Sequence, residues 1–226
     1  MSLSPPNNGS DDLIRHLTAD LAPVQRLRSP TVRALLWLAV VAAMALALIA
    51  FSDLSAVTRR LASAPDMWMS ALGSAATTVL AALAAFHLSM PDRSRAWALL
   101  PLPAALIWIA ATGAGCLRSW LIPDAHAATM GEEKDCLLFI VGLSVPLSAL
   151  LILMLRRAFP LDPGLTAAMA GLAAAAAAAT LLLLFHPFDA SATDLTVHTF
   201  AVGLVVVANR FLGRRSFDMA DRPARI

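Results

Sequence analysis

The chain has 226 residues, 59% of them hydrophobic and 14% charged, with a mean hydropathy of +0.73. A soluble domain is about 45–50% apolar and about 25% charged, so this composition excludes an ordinary soluble fold and points to an integral membrane protein. The net charge of +2 says little by itself, because the basic residues are unevenly placed.

The N-terminal segment, residues 1–33, is polar or mixed. In SDDLIRHLTADLAPVQRLR, residues 10–28, Ser10 is placed to cap a helix, and Asp11 and Asp12 fill its first turn, where carboxylates suit the helix dipole. Leu13, Ile14, Leu17 and Leu21 fall on one face at i, i+1, i+4 and i+8. Pro23 closes or kinks this helix, and Val24 and Leu27 extend the apolar face beyond it. So short a helix is not stable alone in water, and its stripe needs a partner. It either lies on the membrane or its own bundle, where Arg26, Arg28 and Arg33 suit anionic headgroups, or it is offered to a soluble protein.

Six apolar runs follow, at 34–52, 68–90, 97–115, 136–155, 165–186 and 195–212. Each approaches the roughly 20 residues that cross a hydrocarbon core of about 30 Å. Pro101 and Pro103 interrupt the third, and the sixth carries His198, Asn209 and Arg210. The first run reads as a retained helix rather than a signal peptide, because a long polar segment precedes it and no clean small-x-small site follows. Barrel strands would alternate apolar and polar residues, whereas the alanines at 173–179 do not alternate at all. The expected fold is all-α: a polytopic bundle of six transmembrane helices (34–212), a short amphipathic cytoplasmic N-terminal helix in a partner-binding segment (1–33), and a cytoplasmic tail (213–226). Gly164, Gly171 and the alanine run mark the fifth helix as a close-packing surface.

Orientation follows from Arg and Lys in the connections. One side carries Arg15, Arg26, Arg28, Arg33, Arg93, Arg95, Arg156, Arg157, Arg210, Arg214, Arg215, Arg222 and Arg225; the other carries only Arg59, Arg60, Arg118 and Lys134. The expectation is a multi-pass protein of a bacterial inner membrane with both termini cytoplasmic.

The only two cysteines, Cys116 and Cys136, then sit at the outward ends of the third and fourth helices, flanking one polar loop. That compartment is oxidising, and helices joined by a short connection favour neighbouring positions. A stapling disulfide, a pair of buried inert thiols and a redox- or metal-responsive pair are all open readings. His126, Glu132, Glu133 and Asp135 share the loop, while His186, Asp189 and His198 lie at the outer ends of the last two helices. Thiolate and imidazole are ligands for soft or borderline metals, which makes Cys116, Cys136, His186 and His198 the candidate metal ligands, although their spacing matches no zinc-finger signature.

No catalytic constellation emerges: GxSxG, HExxH and phosphate-binding glycine loops are all missing from the sequence. Neither enzymatic activity nor a cofactor is expected. His87 and Asn209, with the weakly accepting thioether of Met90 nearby, are the groups at membrane depth, better read as helix-to-helix bonding or interfacial residues than as a transport path. The alternative function, a small permease or metal exporter, would need more such groups.

Taken in order, DLIRHLTADLAPVQRLR, RSRAWALLPLP (93–103), CLRSW (116–120), a second cysteine at 136, and LLFHPFDA (183–190) followed by His198 resemble the NrsF-type membrane proteins, negative regulators of an extracytoplasmic-function sigma factor. The resemblance covers essentially the whole chain. It implies an anti-sigma factor whose N-terminal segment sequesters the sigma factor at the inner membrane, while Cys116 and Cys136 sense heavy-metal or oxidative stress. On that reading Leu13, Ile14, Leu17 and Leu21 contact sigma, and Asp11, Asp12 and Asp20 meet its basic surface. The partners are then the sigma factor and membrane lipid, with no direct binding of nucleic acid.

Overall fold

A computed structural model of the chain describes residues 8–19, 27–63, 65–121, 130–158, 160–184 and 199–212. Among these residues every regular element is helical: α1 (Asn8–Ala19), α2 (Pro30–Ile49), α3 (Leu54–Ser63), α4 (Pro65–Leu88), α5 (Leu102–Leu121), α6 (Met130–Leu155), α7 (Pro163–Leu182) and α8 (Thr199–Leu212), with a 3-10 turn at Arg95–Leu99 before α5.

Local chemistry sets several helix starts. Ser29 caps α2 by accepting from the Val32 amide at 3.4 Å, with Pro30 at the first helical position, where its missing N–H costs nothing. Asp162 caps α7 through the Leu165 amide at 3.1 Å, again with a proline, Pro163, behind it. Asp53 caps α3, its Oδ1 accepting from the amides of Ser55 and Ala56 and from the Ser55 hydroxyl. Pro101 and Pro103 therefore mark the entry to α5 rather than breaking it, since proline is tolerated in a first helical turn.

Five stretches are long and apolar enough to cross a membrane: Pro30–Ile49, Met67–Leu88, Arg95–Ala114, Leu137–Leu155 and Pro163–Leu182. This corrects the expectation of six. The sixth run contributes α8, Thr199–Leu212, which at about 1.5 Å per residue is short of the roughly 30 Å hydrocarbon core. Its first positions, 195–198, lie outside the described residues.

The bundle is organised around α7. Its residues Ala173 to Ala178 are completely buried, and 78% of its apolar window lies inside the structure. Helices α4 and α6 pack along it, α2 reaches α4, α6 and α7, and α5 lies outermost on α4. Between helices in lipid the hydrophobic effect gives little, and close van der Waals approach of small side chains does the work. The expected close-packing surface is present. A β-carbon on Gly171 would stand 2.9 Å from the Asn209 β-carbon and 3.0 Å from the Val206 α-carbon, so α8 lies directly against α7 there. Gly73 does the same for α4 and α5, with the Trp108 backbone 2.8 Å from an added β-carbon. Hydroxyl pairs add to the seams: Ser70 with Thr112 at 3.2 Å and Thr180 donating to Ser74 at 3.0 Å.

Candidate functional site

Two regions carry chemistry, at opposite ends of the bundle. At one end Arg33 reaches the Met154 carbonyl, Arg95 pairs with Asp162 at 3.6 Å, Thr166 donates to the Leu88 carbonyl at 3.4 Å, and Arg210 lies beside Gly164. These contacts gather Arg33, Arg93, Arg95, Arg156, Arg157 and Arg210 at a single end. The sequence groups these residues by connection, and the fold brings them together in space. His87 belongs to the same end, stacked on Trp97 with ring centroids 3.9 Å apart and planes within 4°. The imidazole is half-buried there.

The first candidate is α1, which leads toward this basic end. Every described side chain from Gly9 to Ala19 is exposed, and α1 has no substantial interface with α2 to α7 among the described residues. Leu13, Ile14 and Leu17 are 59%, 57% and 65% exposed, and Asp11 and Asp12 stand in the preceding turn. The helix starts at Asn8, so Ser10 lies inside it rather than at its cap. Asp20 and Leu21 lie outside the described residues, as do Pro23 and Val24.

The second candidate is the cysteine pair at the far end. Here the helices run past the expected boundaries. Helix α5 continues through Cys116 to Leu121, and α6 begins at Met130, ahead of Cys136. Charged residues such as Glu132, Glu133 and Lys134 are good helix formers, so a change in hydropathy does not end a helix. Only the backbone is described at the two cysteines. Both fall at the end of the bundle opposite the arginines. Among the described residues α5 packs on α4 and α6 on α7 and α2, with no substantial interface between α5 and α6. The expected neighbourhood of the two cysteine-bearing helices is therefore not a feature of the described bundle. His126, His186, Asp189 and His198 lie outside the described residues, and among those described no group of three potential metal ligands is assembled.

Two residues that the sequence reading passed over stand out. Trp37 is completely buried and donates its indole N–H to the Leu147 carbonyl at 3.2 Å. Arg33, counted in the sequence only as a charge, is buried as well, with its guanidinium over the Phe86 ring at 5.1 Å. The available signal was an arginine and a tryptophan four residues apart inside an apolar run.

No curated protein and no solved structure matches the chain. A family model described as negative regulator of sigma F matches residues 17–218, which includes Leu17 and both cysteines and leaves Asp11, Asp12, Leu13 and Ile14 just outside. Matched over most of its length, the chain belongs to the NrsF family of negative regulators of sigma F, a regulator with a sigma factor as its partner and not an enzyme.

Proposed function

We propose that the protein is a membrane-bound anti-sigma factor that holds an extracytoplasmic-function sigma factor through α1 and frees it on a metal or oxidative signal received at Cys116 and Cys136. One observation carries this reading: an amphipathic helix with Leu13, Ile14 and Leu17 in the open, attached to a membrane bundle and without a substantial interface to it among the described residues. Burying each leucine on a partner is worth roughly 1.5–3 kcal/mol. Leu21 and Asp20 extend the same surface in sequence. The carboxylates of Asp11, Asp12 and Asp20 would occupy basic surface that sigma otherwise turns to DNA phosphates. Arginines gathered at one end support an inner-membrane orientation with that end, and both termini, in the cytoplasm. The cysteines then face the periplasm. The permease alternative needs a polar path, and alanine fills the centre of the described bundle.

The test is retention of the sigma factor by the full-length protein in membranes. Leu17→Asp should abolish co-purification while leaving membrane insertion intact, because an unpaired carboxylate in an apolar groove costs several kcal/mol. Undiminished retention would remove α1 as the contact.

A further inference from the structure

Helix α2 follows directly from the N-terminal segment, and its contacts with α6 are of an unusual kind. Arg33 and Trp37 lie one turn apart on α2 and both donate to main-chain carbonyls of α6, Met154 and Leu147, two turns apart. The Met154 carbonyl is available because α6 ends there. Ala158 turns its amide to Leu155 at 2.9 Å instead of to Met154, leaving a terminal carbonyl of the kind that helices must satisfy from outside. Leu147 follows Pro146, which offers no N–H to the Gly142 carbonyl and so weakens the α6 ladder at that point. The proline divides α6 into an outer half, bearing Cys136, and an inner half, held by α2.

Among the described residues the Arg33 end of this contact is incompletely satisfied. Its Nη1 is buried with no hydrogen-bond partner there, and Arg157, just past the end of α6, is a like charge that opposes it. The two described aspartates nearest this end, Asp92 and Asp162, are engaged with Arg93 and Arg95. Held, among the described residues, by one carbonyl and one aromatic face and opposed by a like charge, this guanidinium makes a contact that can be given up. Helix α2 is also lightly embedded, with 17% of its apolar window buried against 78% for α7.

We infer that Arg33 and Trp37 are positioning residues, a two-point clasp that docks α2 on the inner half of α6 and thereby sets whether the N-terminal segment holds its sigma factor. The inference rests on the proposed role of α1. Docked, α2 presents the segment for binding; a shift of the inner half of α6 withdraws the two carbonyls, α2 moves away, and sigma is freed.

The experiment uses full-length protein in unstressed cells, with a sigma-dependent promoter, a membrane immunoblot and sigma co-purification as readouts. Trp37→Phe keeps the bulk and removes the donor. It should accumulate normally yet raise promoter activity about threefold, the population shift expected from one lost hydrogen bond within a membrane. Arg157→Glu turns the repulsion on Arg33 into attraction and should return the Trp37→Phe variant to wild-type repression, a suppression that a purely structural tryptophan would not show. Full repression by Trp37→Phe, or a double variant no better than the single, overturns the clasp. Should Trp37→Phe fail to accumulate, Arg157→Glu alone decides the matter: it must lower basal promoter activity, and no change overturns the proposal. Leu17→Asp run in parallel separates the two ideas. Derepression by Trp37→Phe without derepression by Leu17→Asp keeps the clasp and removes α1 as the contact, while the converse removes the clasp alone.

Discussion

The side-chain amide of Asn209 donates to the Ser148 hydroxyl at 3.0 Å and to the Val205 carbonyl at 2.8 Å, in the buried seam between α8 and α6. This bond, the close approach at Gly171 and the packing of Ala201 against Ile140, Ala178 and Leu182 hold the described part of α8 on α6 and α7. A double-mutant cycle on Asn209→Ala and Ser148→Ala, read by thermal unfolding in detergent, should give a coupling of about 0.6–1.7 kcal/mol, the range for interhelical hydrogen bonds in membranes. A coupling of zero would mean that α8 is held by packing alone.

Glycine tolerance should differ sharply between two helices. Gly171→Ala puts a methyl group 2.9 Å from the Asn209 β-carbon and 3.1 Å from the Val205 carbonyl oxygen, so main chain must move. The expected loss is about 1–3 kcal/mol. Gly142→Ala meets nothing within 4 Å and should stay within about 0.5 kcal/mol of wild type. Equal effects at the two sites would contradict the packing of α8 on α7.

The Asp53 carboxyl is held below the usual carboxylate range, first by its bond from the Ser55 hydroxyl and then by the Ala56 amide. A folded-state value below the unfolded one means that the cap contributes at pH values above the unfolded carboxylate pKa, near 3.9, and that the contribution disappears as pH falls through the folded value. Measured against the intrinsic rate at each pH, amide protection at the start of α3 should therefore be present at neutral pH and lost only in acid. Asp53→Ala should remove it at both. Protection that ignores pH in the wild type would show the cap to be inconsequential.

Cys116 and Cys136 make a further test of the proposed sensing. A disulfide closing a loop of this size typically stabilises by about 2–4 kcal/mol, so a purely structural pair predicts that Cys116→Ser or Cys136→Ser lowers protein level and derepresses the target genes. A sensing pair predicts normal accumulation, retained repression and loss of the stress response. The double variant should then be no worse than either single one. Full induction of the double variant by metal or oxidant would end the sensing proposal. The packing of α5 on α4 and of α6 on α7 makes the experiment more informative. If the thiols do act together, the cysteine-bearing ends of two helices that are not packed partners must meet.

Much of the bundle is legible in the sequence because a membrane imposes one demand, a long apolar run, and composition reports it directly. The alanines and Gly171 of α7 announce close packing for the same reason. What hydropathy cannot see is where helices end. Helix α2 begins at Pro30 because Ser29 and the proline start it, while Arg33 is polar in the sequence yet buried in the fold. Helix α3 is invisible to a search for apolar runs, being amphipathic and only 10 residues long. The extension of α6 back to Met130 is built from charged helix formers. Of the candidate site, Leu13, Ile14 and Leu17 were readable from helical spacing alone, and the structure leaves all three exposed. The Arg33 and Trp37 contacts were not, because donation to a main-chain carbonyl leaves no complementary residue to find.

The alanine surface of α7 has a mechanical consequence. Most packed helices interlock: branched side chains sit in the hollows of their neighbours, and sliding one past another means lifting each out and changing its rotamer. Alanine has no rotamer to change and projects a single methyl group. The smooth face from Ala173 to Ala178 thus acts less like a gear than like a bearing. Helix shifts of about 1–2 Å, the usual scale of sliding between packed elements, can run along this face with little repacking. In a rod so built, α6 is guided sideways but only weakly indexed along its length, whereas α4 is pinned to α7 by the bonds of Thr166 to the Leu88 carbonyl and of Thr180 to Ser74.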